Sequence, residues 1–458
     1  MALRHAFMLV VCIAVSGAFG RASVFTDDER AKISAYWNEP GRYKVTAPLV
    51  ETEDSPWKAR LTPDASRWFW SYQRAISAGK NPPSVQPVGE GPNFEAWETW
   101  VKARLAYDKW AAEEGAIEAN LAARGKQREK PGAPPPPHPG PIPPDLLAAA
   151  GNPPPLVGLV IPRAYTVTFD DGEVYRYTDN LGMRERFAYL RFSQGVAIYG
   201  PALRNLPEEE LDPVFKAAGA NPSEDKILRA VSRMEGGFES VNTYDTGWVS
   251  IGFIQFITGE RGTGSLMEVL ACLKKDNPEE YDRYFRRFGI DFDDRGILVV
   301  VDPSTAAELT GPDAVMAVIN DKRLTAVFQR AGRKSVPFRV AQVKTAKAHY
   351  YPADDPVEVT VNGKTVTGKV SDVVASEAGM AVLFDRKVNR GSIRPFADVL
   401  SEVMTKYSLK TLAEARAYER EIIEKLVYRE DFLKSTTLSQ PPAVPIPAPS
   451  VNQDQPTT

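Results

Sequence analysis

The run of prolines between Pro131 and Pro155 limits this chain more than any other feature. Pro134 to Pro137, Pro143, Pro144 and Pro153 to Pro155 fix φ and remove backbone donors, so no regular helix or interior strand passes through them. Residues 131–155 are therefore expected to form a stiff, polyproline-like linker that divides the chain into two units. Such a division suits a length of 458 residues, because single cores stop growing well below it. Both units should be folded, since 43% of residues are hydrophobic and 25% charged. Lys and Arg number 56 against 59 for Asp and Glu, and a net charge of -3 provides no general field to recruit nucleic acid.

Arg4 and His5 precede an apolar run from Ala6 to Val15 and the small residues Ser16, Gly17, Ala18 and Gly20. That is the pattern of an export signal over residues 1–22, cleaved near Gly20 or Ala22. The run falls short of the roughly 20 apolar residues that a bilayer core requires. No stable membrane span is expected after cleavage, and the mature chain is expected in the periplasm or outside the cell. Cys12 lies within the apolar run rather than after it, which argues against a lipid anchor. Only Cys272 then remains, so no internal disulfide is expected. His138 sits among prolines and His349 stands alone, which leaves no materials for a zinc site or a His-based triad. Neither a metal nor a cofactor is expected.

Residues 23–130 are helix-like and carry Trp37, Trp57, Trp68, Trp70, Trp97, Trp100 and Trp110. The spacing of Trp97, Trp100, Ala103, Tyr107 and Trp110 places several of these on one helical face. Core packing is the plainer reading, because aromatic rings carry large burial energies. The alternative is a surface that stacks on sugars or docks a protein partner, and the burial of the rings separates the two. Residues 156–206 are β-rich: Tyr165 to Phe169 alternates, Asp171-Gly172 turns, and Glu173 to Tyr177 returns, a hairpin expected to pack against the next domain. Residues 207–436 read as mainly helical, with apolar stripes over 265–273, 278–288, 312–329 and 336–350. A hairpin from Asp355 to Lys369, with Asn362-Gly363 at its tip, interrupts them. The tail, residues 437–458, is polar and proline-rich from Pro441 onward and is expected to be disordered.

The chemistry concentrates after Asn221-Pro222. Ser223 reads as a helix N-cap, Ile227, Leu228, Val231 and Met234 recur at helical spacing, and the helix is expected to end at Glu235. Gly236 and Gly237 then turn the chain. A carboxyl beside the negative end of a helix dipole, near apolar Phe238, is driven toward its protonated form. A glycosidase requires such a group, because its acid must still hold a proton to give to the departing glycosidic oxygen.

Ala230-Val-Ser-Arg-Met-Glu235-Gly-Gly-Phe238, followed by Ser250-Ile-Gly252-Phe-Ile-Gln255-Phe256, resembles the signature of the goose-type lysozymes and soluble lytic transglycosylases. The resemblance implies a mainly α, lysozyme-like helical domain with a small β-hairpin region, beside the separate Trp-rich helical N-terminal unit. It also implies that Glu235 is the acid, that Ser250 and Gln255 position substrate, and that Gly252 permits close backbone approach. The Glu235-to-Gln255 spacing is slightly longer than the family's, and Asn242-Thr-Tyr244-Asp245-Thr-Gly247-Trp248 replaces its usual small residues. Tyr244 is taken as a further substrate contact, and Glu239 as a competing acid. Asp245 is either a second carboxylate that orients water or a loop residue capping its own turn. If no second acid acts, the family's alternative is attack by the substrate's own N-acetyl group.

Glu377-Ala-Gly-Met-Ala-Val-Leu-Phe-Asp385-Arg-Lys-Val-Asn389-Arg-Gly391 is similar to a Phe-Asp-x-x-x-Asn-x-Gly stretch of lysozyme-like and chitosanase-like glycosidases, where it forms a buried helix behind the cleft. Asp385 and Asn389, four apart, share one helix face, either orienting cleft residues or bonding each other. Arg233, Arg386 and Arg390 are either exposed or fork onto peptide-stem carboxylates. The leading expectation is a glycosidase acting on peptidoglycan or a related amino-sugar polysaccharide. The others are a non-catalytic wall-binding or assembly domain, and a chitosanase-like hydrolase.

Overall fold

A computed structural model of the chain describes residues 23–46, 59–60, 92–123, 125, 127–128, 131–141, 143–144, 163–179, 187–188, 194–233, 236–244 and 247–443. Thr26 opens helix α1 (Asp27–Asn38), its hydroxyl accepting from Glu29 N at 3.2 Å while the Glu29 carboxylate accepts from Thr26 N at 2.8 Å. Next come strands β1 (Tyr43–Thr46) and β2 (Ala59–Arg60), helix α2 (Pro92–Ala123), strands β3 (Ala164–Thr168) and β4 (Val174–Thr178), and β5 (Phe187–Ala188).

The N-terminal residues were expected to form a separate unit, yet 23–46 pack with the chain beyond the prolines. β1 pairs antiparallel with β3, and β3 with β4. Trp37 is buried against Phe169 and Phe288 and donates to Phe288 O at 3.1 Å. Glu308 accepts from Val24 N and Phe25 N, and Arg286 grips Glu29 at 2.8 Å. The proline-rich residues are not simply a spacer either. Trp110 Nε1 donates to Ala133 O at 2.8 Å, the Tyr107 and His138 rings meet edge to face at 4.5 Å, and Arg104 Nη1 donates to His138 Nε2 at 3.1 Å. The stretch thus lies along α2. Trp100 is buried and Trp110 half-buried, so the described tryptophans favour packing over an open stacking face. Trp57, Trp68, Trp70 and the Trp97 side chain lie outside the described residues, as do residues 1–22 of the expected signal.

The rest of the described chain continues with β6 (Ala197–Ile198), α3 (Glu208–Ala217), α4 (Pro222–Ser232), β7 (Val241–Asn242), β8 (Ser250–Ile251), β9 (Phe256–Ile257), α5 (Ser265–Asp276) and α6 (Pro278–Tyr284). It goes on through β10 (Ile290–Phe292), β11 (Leu298–Val301), β12 (Glu308–Thr310), α7 (Pro312–Asn320), α8 (Lys322–Lys334) and α9 (Val336–Tyr350). Last come β13 (Pro356–Val361), β14 (Lys364–Lys369), α10 (Val370–Val373), α11 (Glu377–Arg390), α12 (Phe396–Lys406), α13 (Leu412–Ala415) and α14 (Glu419–Glu424).

The architecture is mixed and mainly helical, with small antiparallel sheets ordered β1-β3-β4, β6-β7-β8-β9, β10-β11-β12 and β13-β14, besides a parallel β2-β5 pair. Both expected hairpins form, and Asn362 and Gly363, at φ 50 and 78, make the β13-β14 turn. Tyr165, Val167, Tyr175 and Tyr177 point one face of the first hairpin inward, and Tyr177 Oη donates to Gln329 of α8 at 2.6 Å. The helix expected over 312–329 is two helices, because Asp321 leaves helical φ/ψ to cap α8, accepting from Arg323 N at 2.9 Å. The expected disordered tail begins as docked chain. Ser439 N donates to Glu377 Oε2 at 2.8 Å, Ala378 N donates to Ser439 O at 3.0 Å, and Leu438 is buried; residues 444–458 lie outside the described set. Among the described residues no helix is long and apolar enough to cross a membrane.

Candidate functional site

The N-cap of α4 is Asn221, not Ser223. Its Oδ1 accepts from Ser223 N at 3.0 Å and Glu224 N at 2.9 Å, and Glu224 Oε2 answers Asn221 N at 2.8 Å. Ile227, Leu228 and Val231 bury the inner face as the spacing predicts, but the helix stops at Ser232, with Arg233 as its exposed C-cap. Glu235 and Asp245 lie outside the described residues, so the structure does not describe either expected carboxylate.

The described residues that follow Glu235 in the chain form a tightly tied turn. Gly236, at φ +118, leaves no room for a side chain: a Cβ would lie 2.8 Å from Ser240 Oγ and 2.9 Å from Tyr199 O. Gly237 N donates to Tyr199 O at 2.9 Å. Ser240 is the hub, donating through Oγ to Ile198 O at 3.1 Å and accepting from Gln255 Nε2 at 2.8 Å. These bonds pin β6 and residues 199–201 along the segment just past Glu235. In the sheet, Ile198 stands opposite Val241, Asn242 opposite Ser250, and Ile251 opposite Phe256.

Several residues chosen from sequence meet here, held by other parts of the protein. Ser250 is buried in β8. Gly252, at φ +84, makes room for a protein side chain: a Cβ would sit 2.2 Å from Gln342 Oε1. Gln342, fully buried on α9, accepts from Phe253 N at 3.3 Å and donates to Phe238 O at 3.0 Å, joining the two halves of the motif. Gln255 is half-buried at φ 58, and besides reaching Ser240 it donates to Gly252 O at 3.1 Å. Tyr244 is half-buried, with its N–H on Asn242 Oδ1 at 3.1 Å. Glu239 is no free acid: it is buried and ion-paired with Arg333, whose guanidinium lies 4.8 Å from the Tyr175 ring. Burial opposes the charge on Arg333, but the bond to Glu239 prevails and holds it above the usual arginine range.

Asp385 and Asn389 do share a face of α11, and Asn389 Nδ2 donates to Asp385 O at 3.0 Å and Oδ1 at 3.1 Å. Asp385 is 1% exposed and also receives Arg429, whose Nε lies 3.0 Å away, so it is part of an internal ion pair. Arg386 is committed to carbonyls, donating to Arg394 O at 2.7 Å and Leu426 O at 2.9 Å, while Arg390 stacks over Tyr428 at 4.2 Å. Sequence reading missed Ser240, Gln342, Arg333 and residues 198–201. Gly200-Pro201 after an apolar run was the one local signal.

An open cleft of about 580 Å³ is walled by Tyr43, Asp302, Asp313 and Arg323, with Met316 among its apolar lining; none of the described motif residues lines it. Set against family models, curated proteins and solved structures, the chain matches none of them.

Proposed function

We propose that this chain is a glycosidase that cleaves the glycan strand of peptidoglycan, with Glu235 as its proton donor. The observation that carries the reading is backbone strain in the second half of the motif that begins with the helix before that residue. Trp248 at φ 65 and Gln255 at φ 58 are bulky residues in the left-handed region, within eight positions of each other and beside Gly252 at φ +84. Such conformations persist only where surrounding structure over-determines them, and they gather at functional sites. Here Ser240, Gln342 and the packed row Phe238, Phe253 and Phe256 supply that determination. The mainly helical body with small sheets is compatible with a lysozyme-like domain.

In this mechanism Glu235 gives its proton to the bridging oxygen as the C1–O bond breaks; where a water attacks, Asp245 takes the water's proton, and where the substrate's N-acetyl group attacks, Glu235 later accepts the proton of the sugar hydroxyl that displaces the N-acetyl oxygen from C1. Either a water oriented by Asp245 or the substrate's own N-acetyl oxygen attacks C1. The first yields a reducing sugar, and the second leads to an anhydro sugar.

The test is release of soluble muropeptides from purified sacculi by the wild type and by Glu235→Gln. Release that falls by about 10²-fold or more in the variant supports the proposal. No release by the folded wild type refutes it and favours a wall-binding domain, and cleavage of chitosan alone would reassign the substrate. Mass analysis of the products separates hydrolysis from anhydro-sugar formation.

A further inference from the structure

We propose that Glu308 is the receptor for a new amino terminus: cleavage between Ala22 and Ser23 releases an α-ammonium that pairs with its carboxylate and ties down the first residues of the mature chain. The inference rests on the export signal expected over residues 1–22 and is independent of the glycosidase reading. Gly20-Arg21-Ala22 has small residues at the first and third positions before that bond, the pattern a signal-removing peptidase requires. Ala18-Phe19-Gly20 offers a second cut, which would leave Arg21 as the terminus. The contacts of residues 23–25 favour the first.

Ser23 Oγ lies 2.7 Å from Glu308 Oε2 and 2.6 Å from Phe25 O, and Val24 N and Phe25 N donate to the Glu308 carboxylate at 3.1 and 2.8 Å. Phe25 is fully buried, with the Arg286 guanidinium 4.8 Å from its ring and Arg286 Nη2 donating to Val24 O at 3.0 Å. The cations around this segment already have carboxylates: Arg30 is paired with Asp27, and Arg286 with Glu29 and Asp291. Glu308 has no cation partner among the described residues, so its charge is the one left over. Ser23 N is three bonds from Ser23 Oγ and three from Val24 N, both of which touch this carboxylate. A charge appearing there stands within the roughly 4–6 Å over which an opposite charge favours the ionised form. In the cleavage the Ala22–Ser23 C–N bond breaks, and water gives its hydroxyl to the Ala22 carboxyl and its other hydrogen to the Ser23 amine. The carboxyl's proton then passes through solvent to the amine. A cut after Gly20 would form the ammonium two residues further from Glu308.

The full chain is expressed with its own leader in an exporting bacterial host, as wild type and as Glu308→Gln, and the intact mass of each product is read. A terminus at Ser23 is expected. One at Arg21 overturns the proposal alone, and a retained leader overturns the export expectation with it. Acylation of the terminal amine then reports its charge, because only the neutral amine reacts. At pH 7 the pair should slow labelling of Ser23 about two- to fivefold relative to Glu308→Gln, as a partly exposed ion pair would. The groups facing the amine are Glu308 from β12 and Arg30 from α1, the latter neutralised by Asp27, with Arg286 beyond Val24 O. Glu308 favours the charged amine, so labelling rates of the two proteins should converge by about pH 10, where both amines are neutral. Equal rates at pH 7 overturn the proposal. So does a difference that persists at about pH 10, since it marks a segment merely loosened by the substitution.

Discussion

Gly252→Ala separates two accounts of the same glycine, one in which it clears a path for substrate and one in which it seats Gln342. At φ +84 an alanine costs about 1–2 kcal/mol for the left-handed backbone. Its Cβ would lie 2.2 Å from Gln342 Oε1 and 2.8 Å from Cδ, so the amide must leave, breaking the bonds to Phe253 N and Phe238 O. Stranding those buried groups adds about 2 kcal/mol, for a total of about 3–4 kcal/mol. Gln342→Ala alone orphans the same two groups and should cost about 2–3 kcal/mol. In the double variant the clash is gone, and the alanine at 252 adds only its backbone strain. The pair should then cost about 4 kcal/mol, roughly 2 less than the sum of the singles. Urea unfolding of all four proteins gives these values, with glycan binding measured alongside. Additivity within about 0.5 kcal/mol would refute the seating argument. So would a Gly252→Ala protein of wild-type stability that no longer binds glycan, because that outcome assigns the glycine to the ligand.

The other predictions concern what holds the body together. Asp385→Asn should destabilise by about 2–3 kcal/mol, because it removes the buried carboxylate that Arg429 Nε reaches at 3.0 Å, and kcat should change little in protein that remains folded; a large kcat loss at full stability would place Asp385 in the chemistry. Trp37→Ala should cost about 3–5 kcal/mol in urea unfolding, and limited proteolysis should release residues 23–46; a cost below about 1 kcal/mol would mean that α1 is dispensable. Lys322 is fully buried, and burial pulls its ammonium down to about 8. Its folded value lies below its unfolded one, so the native state binds fewer protons between about pH 8 and pH 10.5, and this residue's contribution to stability rises with pH through that window. Measured against Lys322→Met, the wild type should therefore gain stability as pH climbs from about 8 to 10.5; a difference independent of pH over that range would refute the argument.

How much the sequence made legible depends on the range over which each determinant acts. The β13-β14 turn needs only Asn362 and Gly363, two neighbours that tolerate positive φ, and its reading held. The inward face of α4 needs only the spacing of Ile227, Leu228 and Val231, and it too was readable. The start of α4 was misplaced by two residues because Asn and Ser are both good caps. Only Glu224 returning to Asn221 N decides between them. Position 252 shows the harder limit. A glycine at φ +84 could be anticipated from the motif, but the side chain that needs the space belongs to α9, far along the chain, and nothing near Gly252 encodes it. The same holds for Arg333 on Glu239, Arg429 on Asp385 and Phe288 under Trp37. In each case a local pattern selected a residue and a distant partner decided its work. That asymmetry bears on the site itself: the described residues that follow Glu235 are fixed from β6, α8 and α9, elements the motif does not contain. Substitutions at Ser240, Gln342 or Arg333, none of which the motif singles out, should therefore disturb glycan cleavage through position rather than through chemistry, and shift kcat in step with local stability.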